Sequence, residues 1–240
     1  MSAGKTIQRA AKRLGLQVQR YHPHKDPYRQ LVKICSDHNC GALIDVGAND
    51  GEFVASIIEA GYQGPVISVE PLPDAWERLS KRASGHSNWT IARPMALGGA
   101  PGRSEINVSK NSVSSSLLDV LAASTNAAPE SAYQGKQEIE ISTVDDLCKE
   151  SQLSGAVALK LDVQGYEGHV LDGVQESLPQ IEVIMSEMSL TPVYAGAPTF
   201  LELYQRIEGM GFRCVGVWPT FTDRVSLRTL QVDAIFERQR

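Results

Sequence analysis

No stretch of this 240-residue chain approaches the ~20 consecutive apolar residues that a bilayer-spanning helix needs. Its N-terminus lacks the continuous apolar core of a secretory signal, so the cytoplasm is the expected compartment. Cysteine is scarce: Cys35, Cys40, Cys148 and Cys214 are too scattered for a disulfide framework. Cys35, His38 and Cys40 lie close together, yet no second ligand pair follows at zinc-site spacing, and plain packing accounts for them. No internal repeat is present. Apolar content of 42% and charged content of 21% are ordinary for a globular protein. The length suits one α/β domain with a good core and a small appendage.

The chain also lacks an extended basic surface. Its net charge is -5, and the basic residues are unevenly placed. Residues 1–36 hold eight Lys or Arg against one acid, Asp26, while the remainder has fifteen basic residues against twenty-seven acids. An acidic body argues against broad nucleic-acid binding. The basic part reads as an amphipathic helix over 5–20, with Ile7, Ala10, Ala11, Leu14 and Val18 at three-to-four spacing. Two readings stand for it: packing on the domain or a partner subunit through Ile7, Leu14 and Val18, or docking at an anionic membrane surface.

One further absence selects the ligand. Ala42-Leu43-Ile44-Asp45-Val46-Gly47-Ala48-Asn49-Asp50-Gly51 reads as a buried strand, a tight glycine turn and a helix start. Nineteen residues past Gly51, the apolar run Val66-Ile67-Ser68-Val69 ends in Glu70. This is a nucleotide-type pocket at the C-terminal edge of a parallel sheet, with an acid placed for ribose hydroxyls. A dinucleotide loop needs G-x-G-x-x-G against the pyrophosphate, and the middle glycine is missing. Asp45 and Asp50 add negative charge, which suits a ligand with a positive centre and no phosphates. S-adenosylmethionine is such a ligand. The alternatives are an NAD-dependent oxidoreductase and a non-catalytic module that keeps the fold.

Strands and helices then alternate, giving a doubly wound, mostly parallel sheet. Helices are expected at 27–37, 51–60, 74–83, from about 166, and at 199–209. Strands are expected at 42–46, 65–70, 89–92, 157–162 and 181–187. Residues 101–135 break the rhythm, and an inserted strand pair near 105–108 and 138–142 is expected around a long mobile loop with Ser112–Leu117. Arg213–Val217 and Thr229–Phe236, with no helix between, read as a final antiparallel hairpin. The division is a basic helical extension over 1–38 and a Rossmann-like domain over 39–240.

In their joint order these segments resemble the FkbM-type methyltransferases. The carriers are Ile44–Gly51, Ser68-Val69-Glu70-Pro71, Met95-Ala96-Leu97-Gly98, Ser114-Ser115-Ser116-Leu117, Thr143-Val144-Asp145-Asp146-Leu147, Leu159–Glu167 and Gly211-Phe212. The resemblance covers roughly 40–237. It implies a seven-stranded sheet ordered 3-2-1-4-5-7-6 with strand 7 antiparallel. It also implies S-adenosylmethionine contacts at Asp45, Gly47 and Asn49, with Glu70 on the ribose; Gly51, Ala96 and Asp162 are further expected contacts. The implied activity is O-methylation of a sugar hydroxyl in a glycolipid, a surface polysaccharide or a glycosylated natural product. Gln164 departs from the glutamate many relatives carry, which puts in doubt any mechanism that needs a carboxylate there.

A sugar hydroxyl is a poor acid, so a base or a metal should assist. Asp162, Glu187 and Glu167 compete for that role. Asp162 and Glu187 end neighbouring strands, ~4.8 Å apart, and are placed to share a proton or a divalent ion such as Mg2+. His169 reads as a solvated or packing histidine, and Asp145 and Asp146 as part of a capped helix start. Tyr194, Trp218 and Phe221 fall in late segments on the acceptor side, where sugar stacking and burial are equally open. The serine loop is the expected lid.

Overall fold

Asp26 accepts hydrogen bonds from the Tyr28 and Arg29 amides, and with Pro27 at the first helical position it starts a helix. The computed structural model describes residues 3–16, 18 and 21–240. The helices are α1 (Ala3–Arg13), α2 (Pro27–Asp37), α3 (Glu52–Glu59), α4 (Pro73–Ala83), α5 (Ala122–Ala127), α6 (Val144–Glu150), α7 (Glu167–Asp172) and α8 (Phe200–Gly209). The strands are β1 (Ala42–Val46), β2 (Val66–Val69), β3 (Trp89–Ile91), β4 (Ala96–Leu97), β5 (Gly102–Ser109), β6 (Tyr133–Ser142), β7 (Val157–Leu161), β8 (Ile181–Ser189), β9 (Phe212–Thr222) and β10 (Thr229–Arg238).

Seven strands form one sheet in the order β3-β2-β1-β7-β8-β10-β9. Counted along that sheet alone, this is the expected 3-2-1-4-5-7-6, and β10 runs antiparallel to both β8 and β9. β1, β2 and β7 are buried at every position, as apolar runs flanked by helices on both faces must be. One core layer lies under α6, α7 and α8, with Leu147, Val170 and Ile207 against Ile44, Leu159 and Phe236. The other lies under α2, α3 and α4, with Leu31, Val54 and Leu79 against Leu43, Ala158 and Ile235.

The inserted strands are longer than expected. β5 and β6 pair antiparallel over most of their length, and β4 joins β6 to make a separate three-stranded sheet. The segment between them is pinned rather than loose. Asn107 and Ser116 exchange backbone hydrogen bonds, and the Ser115 hydroxyl accepts from the Ser109 amide.

The N-terminal region departs from expectation. α2 was assigned to the extension, yet it buries Leu31, Ile34 and Cys35 in the sheet's core layer. The helix expected over 5–20 ends at Arg13, and of its remainder residues 17, 19 and 20 lie outside the described residues. Ile7, Leu14 and Val18 are 58%, 77% and 46% exposed, so they make no packed face on the domain. Among the described residues, no helix is long and apolar enough to cross a membrane.

Candidate active site

The C-terminal ends of β1, β2, β7 and β8 open into a cavity of about 440 Å³. Gly47 follows β1 in the left-handed region, at φ +79°. A Cβ there would stand 1.9 Å from the Asp162 carbonyl oxygen, so the turn needs glycine because β7 passes directly behind it. Asn49, also left-handed, directs its amide at Glu70. The Glu70 Oε2 accepts from the Asn49 amide at 2.9 Å, and Oε1 accepts from the Leu72 amide at 2.9 Å. Each oxygen keeps a lone pair for a further donor. Burial raises the Glu70 carboxyl to about 7, against the opposing pull of the two amides. Leu72, Met95, Ala96 and Leu97 supply the apolar part of this wall.

Along the same sheet edge, two and three strands from Glu70, the cavity wall carries Asp162 and Glu187. Asp162 Oδ2 lies 3.3 Å from Lys160 Nζ, and Oδ1 accepts from Gln164 Nε2 at 2.7 Å. The same Gln164 nitrogen donates to Glu187 Oε2 at 3.1 Å, and Gln231 Nε2 donates to that oxygen at 2.6 Å. Tyr194 fixes this amide orientation: its hydroxyl donates to Gln164 Oε1 at 2.6 Å. The serine loop closes the arrangement, with Ser116 Oγ donating to the Gln164 carbonyl at 2.7 Å. Burial raises the Glu187 carboxyl well above the usual range, and the charges of Asp162 and Asp233 add to the effect.

Of the residues expected here, Gly47, Asn49, Glu70, Ala96, Asp162 and Glu187 do line one cavity. Asp45, Gly51 and Glu167 do not, and each has a structural reason. Asp45 is fully buried behind the loop; Oδ2 accepts from Ser68 and Oδ1 lies 3.3 Å from Lys160 Nζ, an ion-pair contact without hydrogen-bond geometry. Burial alone would lower the Lys160 ammonium, but the carboxylates of Asp162, Asp45 and Asp233 outweigh it and raise it. Gly51 caps α3, and a Cβ there would meet the Trp89 ring at 2.7 Å. Glu167 is buried and accepts from the Val163 and Gly165 amides, which holds the turn before α7.

The charge reading of the glycine loop is corrected accordingly. Asp45 faces Lys160, and Asp50 faces Arg82 at 3.7 Å beside the Arg82–Glu52 pair. The acids that line the cavity are Glu70, Glu130, Asp162 and Glu187 instead. Between the last two stands an amide NH2 group, a donor where a shared cation would need oxygen ligands. Among the described residues, no cluster of three or more His, Cys, Asp or Glu is placed to hold a metal.

The other expectations divide. Trp218 donates to Gln30 and packs in the core layer under α2, away from the cavity, whereas Tyr194 and Phe221 line it. Thr143 caps α6 as expected, but Asp145 does something else: it accepts from the amides of Gln175, Glu176 and Ser177 and fixes that turn. His169 is half exposed and stacks on Tyr166, with ring centroids 4.3 Å apart. His38 is held between Glu182 and Glu237. Gln231, Lys160 and Arg224 were missed. Gln231 and Arg224 sit in ordinary-looking stretches; only a lysine inside an apolar strand run gave a signal, since such a charge needs partners.

The cavity suits S-adenosylmethionine: a carboxylate with free lone pairs would take ribose hydroxyls, an apolar wall the base, and further acids its cationic groups. A curated relative, the 2-O-methyltransferase NoeI of Sinorhizobium fredii (strain NBRC 101917 / NGR234), is 24% identical over 175 residues, 70% of this chain and 71% of that protein. A provisionally assigned O-methyltransferase from Klebsiella pneumoniae superposes with TM-score 0.50 at 9% identity, over 98% of this chain and 89% of that one, a likeness of fold. Residues 45–214 match the Methyltransferase FkbM domain. The chain therefore belongs to the FkbM methyltransferase family, and its cofactor is S-adenosylmethionine.

Proposed function

We propose that this methyltransferase acts on oxygen, methylating a sugar hydroxyl of a glycan acceptor, with lipid-linked glycans as the favoured class. The observation that carries this reading is the Asp162–Gln164–Glu187 group, which lines the same cavity as Glu70. Bound S-adenosylmethionine supplies the methyl group as an activated sulfonium. The protein's part is to align the acceptor hydroxyl and remove its proton. Asp162 is the base, because its side chain is 34% exposed and one edge faces the cavity. Glu187 is walled in by Gln164 and Gln231, and it shares the Gln164 amide with Asp162. Alignment by Tyr194, Phe221 and the serine loop supplies a further share of the acceleration. NoeI, by its name a 2-O-methyltransferase, supports oxygen as the acceptor atom.

The exposed α1, with Lys5, Arg9, Lys12 and Arg13, has the charge to approach an anionic lipid surface, which favours a lipid-linked acceptor. The test is transfer of a radiolabelled methyl group from the cofactor to a panel of free and lipid-linked oligosaccharides. Label recovered as a base-stable methyl ether on a sugar is expected. Label found only on nitrogen, on protein or on nucleic acid would sink the proposal.

A further inference from the structure

The β9–β10 hairpin ends in Asp223-Arg224-Val225-Ser226-Leu227-Arg228, and its tip is built in an unusual way. Val225 is 92% exposed and Leu227 77% exposed, the two most open large apolar side chains of the strand-bearing domain. Leu227 is also held at φ +59°, a conformation that glycine or asparagine adopts at far lower cost. Neither side chain contributes packing to the fold, so nothing internal explains a strained, exposed leucine.

The turn that displays them is fixed. Asp223 accepts from the Val225 amide at 3.0 Å, from the Ser226 amide at 3.1 Å and from the Ser226 hydroxyl. The backbone closes through Leu227 N to Asp223 O at 2.9 Å and Asp223 N to Arg228 O at 2.9 Å. The carboxylate is thus engaged within the turn, and hydrogen bonds from Ser226 and Val225 hold it below the usual range. What faces outward is two aliphatic side chains flanked by two exposed arginines, Arg224 and Arg228. The tip also borders the cavity: Phe221 and Arg224 line it together with Asp162 and Glu187. Val113 of the serine loop, a second lining residue at the rim, is 54% exposed.

We propose that the β9–β10 tip inserts Val225 and Leu227 into the interfacial layer of an anionic membrane, with Arg224 and Arg228 on the headgroup phosphates. Apolar burial and cation–anionic lipid attraction act together in such contacts, and neither suffices alone. A preformed turn loses little conformational freedom on insertion. The cavity mouth then opens at the membrane surface, where the sugar of a lipid-linked glycan is found. The inference deepens the proposed function and rests on it for the acceptor, but lipid binding is measurable without any acceptor.

The experiment uses the full chain and vesicles of phosphatidylcholine alone or mixed in equal parts with phosphatidylglycerol. Sedimentation is expected only with the anionic mixture and should weaken as salt rises. The double variant Val225→Ser/Leu227→Ser should weaken partition by about tenfold or more, as loss of two buried aliphatic side chains does. Because α1 is also basic, the variant Val225→Trp locates the contact: its emission should shift to the blue and be quenched by lipids brominated in the acyl chain. Unchanged emission while the protein sediments would overturn the proposal, as would equal sedimentation of the double variant or no anionic binding at low salt. A lipid-free change of oligomeric state in the double variant would overturn it too, assigning the tip to a protein contact. Calorimetry with S-adenosylhomocysteine and turnover on a soluble glycan report separately on the catalytic reading. The double variant should leave both unchanged.

Discussion

The wall proposed to hold the cofactor comes from three short stretches of chain, 46–49, 69–72 and 95–97, the first two joined across adjacent parallel strands. The acceptor wall draws on the ends of β7, β8 and β10, the serine loop inside the β5–β6 insertion, and Tyr194 from the segment before α8. The first wall is held mainly by backbone groups: two amides fix Glu70, and a close approach fixes Gly47. The second is held by side chains meeting over long sequence separations, as in Tyr194 to Gln164 and Gln231 to Glu187. A backbone-built wall suits a ligand that never changes. A side-chain-built wall can alter its acceptor by substitution at positions the strands do not constrain.

If the two walls serve binding and chemistry separately, variants should separate those measurements. The largest effect is expected for Asp162→Asn, which keeps the contacts to Lys160 and Gln164 in outline while removing the proton acceptor. Turnover should fall by at least ~10²-fold, the usual consequence of losing a general base. Affinity for S-adenosylhomocysteine, read by calorimetry, should change far less. Near-normal turnover would transfer the base role elsewhere, and Glu187→Gln would then be the next variant to measure.

The same division explains which features are legible in the sequence. The strand order and the glycine loop follow from local pattern, because apolar runs, turn glycines and a terminal acid act within a few residues of one another. The place of Glu70 at the cavity was legible for that reason. Asp45 was misread because a carboxylate in a glycine loop looks the same whether it faces a ligand or a buried lysine one strand away. Lys160 decides between the two, through the β1–β7 register that pairs it with Asp45. In the sequence Glu187 ends an expected strand and Glu167 lies in the first turn of an expected helix, yet both positions suit a site carboxylate. Only the turn at 163–165 shows that Glu167 is engaged with backbone amides. Gln231 carries no local signal at all, and Tyr194 shows only its side of the sheet, since their hydrogen bonds exist only where distant segments meet.

The cofactor wall is sharpened by Glu70→Ala. Loss of hydrogen bonds to a charged group is worth ~1.5–3 kcal/mol, so affinity should drop by roughly 10- to 100-fold. Turnover at saturating cofactor should stay close to that of the unsubstituted protein. An unchanged dissociation constant would remove Glu70 from the ribose.

A smaller effect is expected from pH alone. Burial places the free Glu70 carboxyl at about 7, and in the proposed contact ribose hydroxyls donate to its ionised form. Below that value the carboxyl is protonated and binding must displace the proton, so affinity should rise with pH up to about 7 and level off above it. Between pH 6 and pH 8 a tightening of about tenfold is expected, in line with one proton lost per molecule bound on the acid side. Glu70→Gln should flatten that dependence. A slope that persists in this variant would assign the titration to another group, such as Asp233, whose carboxyl burial also raises to about 7.

Tyr194→Phe should have the smallest effect, and it tests whether the acceptor wall works as a unit. The Tyr194 hydroxyl donates to Gln164 Oε1 at 2.6 Å and reaches the Ser114 carbonyl at 3.3 Å, so it links the serine loop to the amide between Asp162 and Glu187. The phenyl ring keeps its volume in the small cluster with Val193 and Leu230, which limits any loss of stability. One such hydrogen bond is worth ~0.5–1.5 kcal/mol net, so turnover should fall by roughly two- to tenfold. If Tyr194 acts only by setting the Gln164 amide, Tyr194→Phe should add little further loss in a chain already carrying Gln164→Leu. Cofactor affinity should be indifferent to either change. Additive losses in the double variant would mean that Tyr194 meets the acceptor directly, and a loss of cofactor affinity would mean that the two walls are not separate.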